Sequence, residues 1–289
     1  MSLKRLTGWG PLASLPAAVI YALTPQWPRW AFMWSLAFAI YAGFKWLTWR
    51  RTPVTGVSWR RRFGYLAAWP GMDAFAFLGP TTAARPEPKE WLSAFAKLVI
   101  GVVLLFGVAR LVPHGASYLA GWIGMIGLVM ILHFGAFHLL SCAWRSYGVD
   151  AKPVMNRPVV SKSVGEFWGR RWNTAFRDLT FRFLFRPLTA RLGPRFAAVA
   201  GFSVSGLIHD LVISFPARGG YGGPTAFFLL QGMALLIERS SVGRRSGLGR
   251  GWRGWLFAAA ALALPACLLF HPPFVREVVQ PFMRAIGAY

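Results

Sequence analysis

Long apolar stretches separated by short basic segments dominate the pattern along the chain. A bilayer-spanning α-helix needs roughly 17 to 20 apolar residues. The candidate stretches are Gly8–Leu23, Trp30–Trp49, Trp91–Val112, Ala116–Trp144, Phe196–Phe215, Tyr221–Ile237 and Trp255–Phe270. The first is the weakest, because it is short and contains Pro16. This pattern predicts an all-α integral membrane protein with about seven transmembrane helices.

Residues 163–187 show a different, amphipathic pattern. Ser163 followed by Glu166 forms a capping box that predicts a helix start, and Pro187 predicts its end. The apolar positions recur every three or four residues as Trp168, Trp172, Phe176, Leu179 and Phe183. Glu166 is expected to pair with Arg170, one turn later. Asn173 lies off the apolar stripe, so we expect folding not to depend on it. A basic amphipathic helix of this kind is typical of a membrane surface.

The stretch Trp69-Pro70-Gly71-Met72-Asp73, followed by Ala74–Gly79, is too short to span a bilayer. Proline and glycine predict a turn, and the aromatic residues suit the membrane interface. We therefore expect a re-entrant or interfacial segment here. Because no internal repeat or low-complexity tract divides the sequence, the simplest organisation is a single membrane domain over residues 1–289.

Charge adds an orientation to this picture. The 289 residues are 55% hydrophobic, and 32 Lys plus Arg outweigh 9 acidic residues, for a net charge of +23. Such a charge would indicate nucleic-acid binding in a soluble protein, but here the basic residues lie between apolar runs. If sides alternate from a cytoplasmic N-terminus, the basic residues left outside are Arg29, Arg110, Arg218, Arg276 and Arg284. This asymmetry predicts a cytoplasmic N-terminus and no nucleic-acid partner.

Polar residues inside the apolar stretches are the candidates for chemistry. His209 lies in the second half of its stretch, with Ser205 one helical turn earlier on the same face. An ionisable residue in a membrane span is a functional candidate. Asp210 points about a hundred degrees away from His209, so we expect it to pair with an arginine or to lie in a polar cavity. Cys142 and Cys267 are expected to be small buried hydrophobes, with no disulfide and no metal site.

The usual motifs of covalent serine, phosphate-loop and metal enzymes are not found in the sequence. One histidine acting as general base fits acyl transfer from an activated thioester to a hydroxyl. Two other classes stay open at this point. A transporter would use polar residues at the membrane midplane, and a haem electron carrier would need facing histidines such as His133 and His209.

Three segments carry a resemblance to a known family. The run Ser163–Asn173 (Ser-Val-Gly-Glu-Phe-Trp-Gly-Arg-Arg-Trp-Asn) resembles the signature of the wax synthase branch of the membrane-bound O-acyltransferases. Ser205-Gly206-Leu207-Ile208-His209-Asp210 resembles the histidine motif of that branch, and Trp69–Asp73 resembles its upstream element. The three occur in the expected order and cover roughly residues 62–238.

The resemblance implies a helical membrane fold around a tunnel, in which acyl-CoA and a lipophilic alcohol are joined into an ester. It assigns the catalytic positions to His209 and Asn173. No bound cofactor is expected, and acyl-CoA is the co-substrate; membrane lipids are the other partners. The predicted substrate-binding residues are Trp172, Arg170, Arg171, Arg177, Ser205 and Asp210. The arginines pair well with phosphate, and contacts with anionic headgroups explain them equally well. A fatty alcohol, a sterol, an isoprenoid and a polyol all stay open as the acceptor. The oligomeric state stays open as well.

Overall fold

The computed structural model describes residues 8–22 and 27–289, and the description that follows concerns these residues only. Their secondary structure is helical, with connecting turns. Two sequence expectations fall partly outside the described residues. These are the cytoplasmic N-terminal segment with Lys4 and Arg5, and the end of the first apolar stretch at Leu23.

The helices are numbered here in chain order. They are α1 (Gly10–Ala22), α2 (Arg29–Arg50), α3 (Trp59–Ala67), α4 (Ala74–Leu78), α5 (Pro88–Leu111), α6 (Ser117–Ser146), α7 (Val164–Glu166, continued by the π-helical segment Phe167–Arg171), α8 (Thr174–Ala217), α9 (Gly223–Arg239), α10 (Ser241–Arg245), α11 (Gly251–Leu269) and α12 (Pro272–Phe274, continued by Val275–Val279 and Gln280–Ala285). Wider π-helical turns interrupt α6 at Met130–Ala136 and α8 at Phe181–Phe185 and Asp210–Ser214.

Four helices of the described part are long and apolar enough to cross a membrane, namely α5, α6, α8 and α11. Each covers one of the predicted stretches, to within one residue at an end. The other three stretches are helical as well, in α1, α2 and α9, but these helices do not meet both requirements of length and apolar character. The structure thus confirms an all-helical architecture with four candidate spans, and the count of about seven stays a prediction.

The chain divides into two compact units. One contains the residues up to Val154 together with Val278–Tyr289, and the other is Met155–Glu277. In the first unit, α5 and α6 approach closely through glycines. A Cβ on Gly101 would lie 2.7 Å from the carbonyl oxygen of Gly127, and a Cβ on Gly135 would lie 2.7 Å from Leu98 Cβ. Small residues at such crossings allow backbones to pack closely in membranes.

The Trp69–Asp73 segment lies in the first unit, where polar side chains of α2 and α3 hold its carbonyls. Tyr41 Oη donates to Trp69 O at 2.8 Å, and the buried Lys45 Nζ donates to Gly71 O at 2.7 Å. Asp73 then caps α4, because its carboxylate accepts from the first backbone N–H groups of that helix. The segment itself is not helical, and both the predicted turn and its position relative to a membrane stay predictions.

The second unit has a core built from α7, α8, α9 and α11. Its fully or largely buried members are Val164, Ala198, Ala234, Leu235 and Ala258, and Trp168 and Phe202 pack against them. The axes of α8 and α9 come close because Gly206 has no side chain, and a Cβ there would lie 2.6 Å from Thr225 Cα. The α8 helix is kinked at Gly193, whose φ of 80° interrupts the helical backbone before Pro194.

The predicted single helix over residues 163–187 is wrong in two respects. It starts after Ser163 as expected, but it ends at Arg171. Trp172 is extended, and Asn173 adopts a left-handed conformation with φ 41°. Pro187 does not end the next helix, because α8 continues through it. The proline directly follows the π-helical segment Phe181–Phe185, where the regular bonding from residue i to i−4 is already interrupted. The single apolar stripe is consequently split between two helices.

Candidate functional site

The site is built around the start of α7, which is capped from two directions. Ser163 Oγ accepts from Glu166 N at 2.8 Å, as the capping box predicts. Glu238, at the end of α9, accepts from Val164 N at 2.6 Å and from Gly165 N at 3.3 Å. Burial raises the pKa of Glu238, although the backbone N–H groups partly offset this effect. A carboxylate at a helix N-terminus is also favoured by the helix dipole.

Glu166 pairs with Arg171 and not with the predicted Arg170. Its Oε1 lies 2.7 Å from Arg171 Nε and 2.6 Å from Arg171 Nη2, while Oε2 accepts from Lys162 N. The π-helical turn explains the change of partner, because it brings residues five apart onto one face. Arg171 Nη1 also donates to the carbonyls of Asn156 and Arg157. Its guanidinium therefore holds the preceding loop in place.

The two chain segments that the sequence singled out meet on one aromatic ring of α9. The ring centroid of Phe228 lies 5.5 Å from that of Trp168 in α7 and 4.5 Å from that of His209 in α8. Trp168 also packs edge-on against Phe202 at 5.9 Å. His209 therefore lies in aromatic surroundings shared with the Ser163–Asn173 segment, as a common site requires.

The neutral tautomer of His209 follows from its backbone partner. Nδ1 lies 2.7 Å from the carbonyl oxygen of Ser205. A carbonyl only accepts, so Nδ1 carries the proton and Nε2 keeps its lone pair, which is what a general base needs. The predicted proximity of Ser205 is confirmed, but the interaction uses its carbonyl. The Ser205 hydroxyl is buried and donates to Gly201 O within its own helix.

Asn173 has a structural role that the sequence analysis did not anticipate. Its Oδ1 accepts from Phe176 N at 3.2 Å and caps α8, and its own N–H points to Met155 Sδ at 3.2 Å. Asparagine tolerates the left-handed conformation better than most residues with a side chain. Folding should thus depend on this residue, contrary to expectation. The side-chain hydrogen bond leaves the Nδ2 amide protons of the half-buried Asn173 as the groups that could serve a substrate.

Asp210 lies in a cage of protein donors and has no arginine partner in the described part of the chain. Its Oδ1 accepts from Ser214 Oγ at 2.8 Å and from Gly222 N at 2.9 Å. Its Oδ2 accepts from Thr225 N at 3.0 Å and from the Thr225 hydroxyl. Of the two expected alternatives, the arginine pair is not formed among the described residues, and the carboxylate lies in polar surroundings instead. Asp210 instead satisfies the first N–H groups of α9, as a capping carboxylate does.

His271 extends this hydrogen-bond network. It is 5% exposed; Nδ1 accepts from Phe274 N at 3.2 Å, so Nε2 carries the proton and donates to Ser214 Oγ at 3.1 Å. Ser214 in turn donates to Asp210. Burial lowers the pKa of His271, and the nearby Asp210 carboxylate opposes this without outweighing it.

The remaining predicted residues lie around α7 and the start of α8. Trp172 is half-buried and stacks on Phe167, with centroids 5.4 Å apart. Arg170 is exposed, and so is Arg177, which forms a surface ion pair with Asp178 at 2.9 Å. Exposed pairs of this kind contribute little to stability, so Arg177 can exchange partners readily.

One group in the first unit has the donor types of a metal site. The side chains of Glu90, His138 and Cys142 bring a ligand atom each within 4.8 Å of one another. However, the guanidinium of Arg145 donates to the same Glu90 oxygen that lies 2.9 Å from His138 Nε2. This guanidinium already supplies a positive charge to the half-buried carboxylate, so we assign the group to an ion-pair network that joins α5 to α6.

Residues 151–230, which contain α7, Asn173, His209 and Phe228, match the family described as membrane bound O-acyl transferase. This part of the chain is therefore similar to the membrane-bound O-acyl transferase family. The assignment agrees with the resemblance found in the sequence motifs. Together with the four apolar helices, it indicates an integral membrane protein.

Named relatives narrow the likeness to the wax synthase branch of the family. A probable long-chain-alcohol O-fatty-acyltransferase 7 of Arabidopsis thaliana is 29% identical over 144 residues, 45% of this chain and 42% of the relative. The long-chain-alcohol O-fatty-acyltransferase of Simmondsia chinensis is 30% identical over 154 residues, 49% of this chain and 43% of the relative. The acyl-CoA–sterol O-acyltransferase 1 of Arabidopsis thaliana is 27% identical over 158 residues, which are 49% of this chain and 45% of the relative. The chain spans less than half the length of each of these three relatives.

Sequence reasoning missed three buried polar residues that support this segment. They are Gln231, Glu238 and His271. A buried polar residue inside or beside an apolar stretch was the available signal, since burial without a partner is costly. Their partners lie far away along the chain, and no short motif connects them.

The network at His271 predicts a loss of stability on acidification. Because burial depresses the folded-state pKa, stabilisation is present above the ordinary histidine pKa, about 6.5. It is lost as the pH falls below that value and through the lower folded-state pKa. Protonation also places a hydrogen on Nδ1, where it opposes the Phe274 N–H. Thermal unfolding followed from pH about 7.5 to about 5.5 should show the loss.

His271→Asn is the matched control, because its side-chain oxygen can still cap Phe274 N but does not titrate. Its melting temperature should vary less across the same range. Parallel curves for the two proteins would show that another group causes the acid sensitivity.

Proposed function

We propose that the protein is a membrane O-acyltransferase that moves a fatty acyl group from acyl-CoA to the hydroxyl of a lipophilic alcohol. The observation that carries this proposal is His209. Its Nε2 keeps a lone pair, and its ring packs against Phe228, which also contacts Trp168 of the family segment. The relatives named above act on long-chain alcohols or on sterols. The family match and these relatives favour acyl transfer over the transporter and haem-carrier alternatives.

The proposed reaction needs one base and an activated acyl donor. Nε2 of His209 takes the proton of the alcohol as its oxygen attacks the thioester carbonyl carbon. A carbon–oxygen bond forms, the carbon–sulfur bond breaks, and the CoA thiolate leaves and recovers a proton from the imidazolium. General base catalysis of this kind is typically worth about 10² to 10⁴ in rate.

The other site residues take supporting roles in this proposal. Asn173 directs its Nδ2 protons to the thioester carbonyl or to the acceptor, since its Oδ1 caps α8. Arg170 and Arg177, both exposed, are available for the CoA phosphates. Trp172 forms part of the apolar wall for the lipid chains. We leave Arg171, Ser205 and Asp210 out of substrate binding, because their polar groups are hydrogen-bonded within the protein.

We propose a seven-span arrangement with a cytoplasmic N-terminus, as the distribution of basic residues predicts. In this arrangement α7 lies at the membrane surface, and the Trp69–Gly79 segment is re-entrant or interfacial. Cysteines at Tyr221 and Ser246 should then react with an impermeant thiol reagent from opposite sides. Gly220 would be a poor labelling position, because its φ is 71°. The expectation that both cysteines are buried is wrong for Cys267, which is exposed and must first be replaced by serine; Cys142 is buried. Labelling of both positions from one side would disprove the arrangement.

Asn173→Asp separates the two roles of this residue. Aspartate caps helices and tolerates the local backbone, so the melting temperature should stay close to that of the wild type. The Nδ2 protons are lost, and ester formation should fall about tenfold or more, as for other donors to a developing oxyanion. Asn173→Ala should lower both the melting temperature and the rate of ester formation, with a stability cost of about 1–2 kcal/mol. A fully active Asp variant would mean that Asn173 serves the fold alone.

His209 decides the mechanism. His209→Ala should lower the turnover number by about 10² or more with a much smaller effect on acyl-CoA binding. His209→Gln preserves much of the size and polarity but cannot take the proton, so it should be almost as inactive. His133→Ala, in the first unit, is the control and should cost less. Near-normal turnover of the Gln variant in well-folded protein would leave the proposed enzyme without a base.

A further inference from the structure

Gln231 is a fully buried amide in the middle of the apolar helix α9, with a relative exposure of 0%. Both ends of its side-chain amide are used. Nε2 donates to Ala261 O at 2.8 Å, and Oε1 accepts from Trp168 Nε1 at 3.4 Å. The Ala261 carbonyl needs this donor because Pro265, four residues later, has no N–H.

Gln231 belongs to a single face of α9 that supports the whole of α7. Phe228, Gln231, Leu235 and Glu238 recur at intervals of three and four residues, so they point the same way. Phe228 packs on the Trp168 ring, and Gln231 accepts from its indole. Glu238 accepts from the first N–H groups of α7, and Leu235 Cδ1 lies 3.2 Å from the position of a Cβ on Gly165.

The same face reaches the proposed base. Phe228, one turn before Gln231, touches both Trp168 and His209. Without the hydrogen bond to Gln231, the Trp168 indole would keep its apolar contacts. It would lose the hydrogen bond of its N–H group, which fixes the orientation of the ring. The orientation of Trp168 sets where Phe228 and the imidazole can lie, since rings at 4.5–5.5 Å are in van der Waals contact.

We propose that Gln231 is a positioning residue for acyl transfer, acting through Trp168 on the aromatic surroundings of His209. The inference rests on the function proposed above. Gln231 does not touch the reacting atoms; it fixes the indole that, with Phe228, forms the wall beside the base. The second hydrogen bond of Gln231 goes to the Ala261 carbonyl, which Pro265 leaves without a helical donor. This bond holds the amide in the position from which it orients the indole.

The test compares two buried glutamines. Gln231→Leu should lower kcat about 3- to 10-fold, the effect of one lost hydrogen bond, with the KM for acyl-CoA within about twofold of wild type. Gln280→Leu is the matched control in the first unit, where Gln280 is also buried and its Nε2 donates to Ser117 O at 2.7 Å. Both variants should melt at lower temperature, and only the first should lose kcat.

A double-mutant cycle with Trp168→Phe shows whether Gln231 acts through the indole. Phenylalanine keeps a ring but has no N–H, so each single variant removes the same bond. The two kcat effects should be clearly less than multiplicative in the double variant. Multiplicative effects, or equal loss of kcat in Gln231→Leu and Gln280→Leu, would overturn the inference. A wild-type protein without ester synthesis would overturn the proposed function and this inference together.

Discussion

The candidate site depends on the docking of a short, interrupted helix onto one face of α9. The helix α7 has a single regular turn before its π-helical segment, too little to be stable alone. It exists because Ser163 and Glu238 satisfy its first N–H groups, and because Trp168 is held from the same face. Neutral hydrogen bonds such as those of Ser163 and Gln231 contribute about 0.5–1.5 kcal/mol each, and bonds to a charged group, as to the Glu238 carboxylate, about 1.5–3 kcal/mol.

A second constraint is that buried polar groups need partners where water is scarce. Asp210 accepts four hydrogen bonds, and Gln231 satisfies a carbonyl that a proline leaves open. In both cases the polar side chain connects two helices. Asp210 connects α8 to α9, and Gln231 connects α9 to α11. Polar residues in apolar helices are thus used first for architecture, and a functional role has to be argued beyond that use.

Local signals in the sequence predicted the parts of the fold that depend on neighbouring residues. The Ser163 cap is of this kind. The break at Asn173 was missed, since the apolar periodicity runs straight through it and a left-handed asparagine interrupts a helix without changing that pattern. Glu238, Gln231 and His271 were out of reach, because their partners are identified only by tertiary structure.

The environment of His209 suits the proposed chemistry because of what holds it. The tautomer of His209 is fixed by the neutral carbonyl of Ser205, one helical turn earlier, and not by a carboxylate. A carboxylate partner would strengthen the base and stabilise its cation, as in hydrolases that must expel a poor leaving group. A thioester already carries a good leaving group, so the histidine has to hold the alcohol proton only briefly before the thiolate recovers it. A weak base in an aromatic setting, shielded from water, then favours transfer to a lipophilic alcohol over hydrolysis.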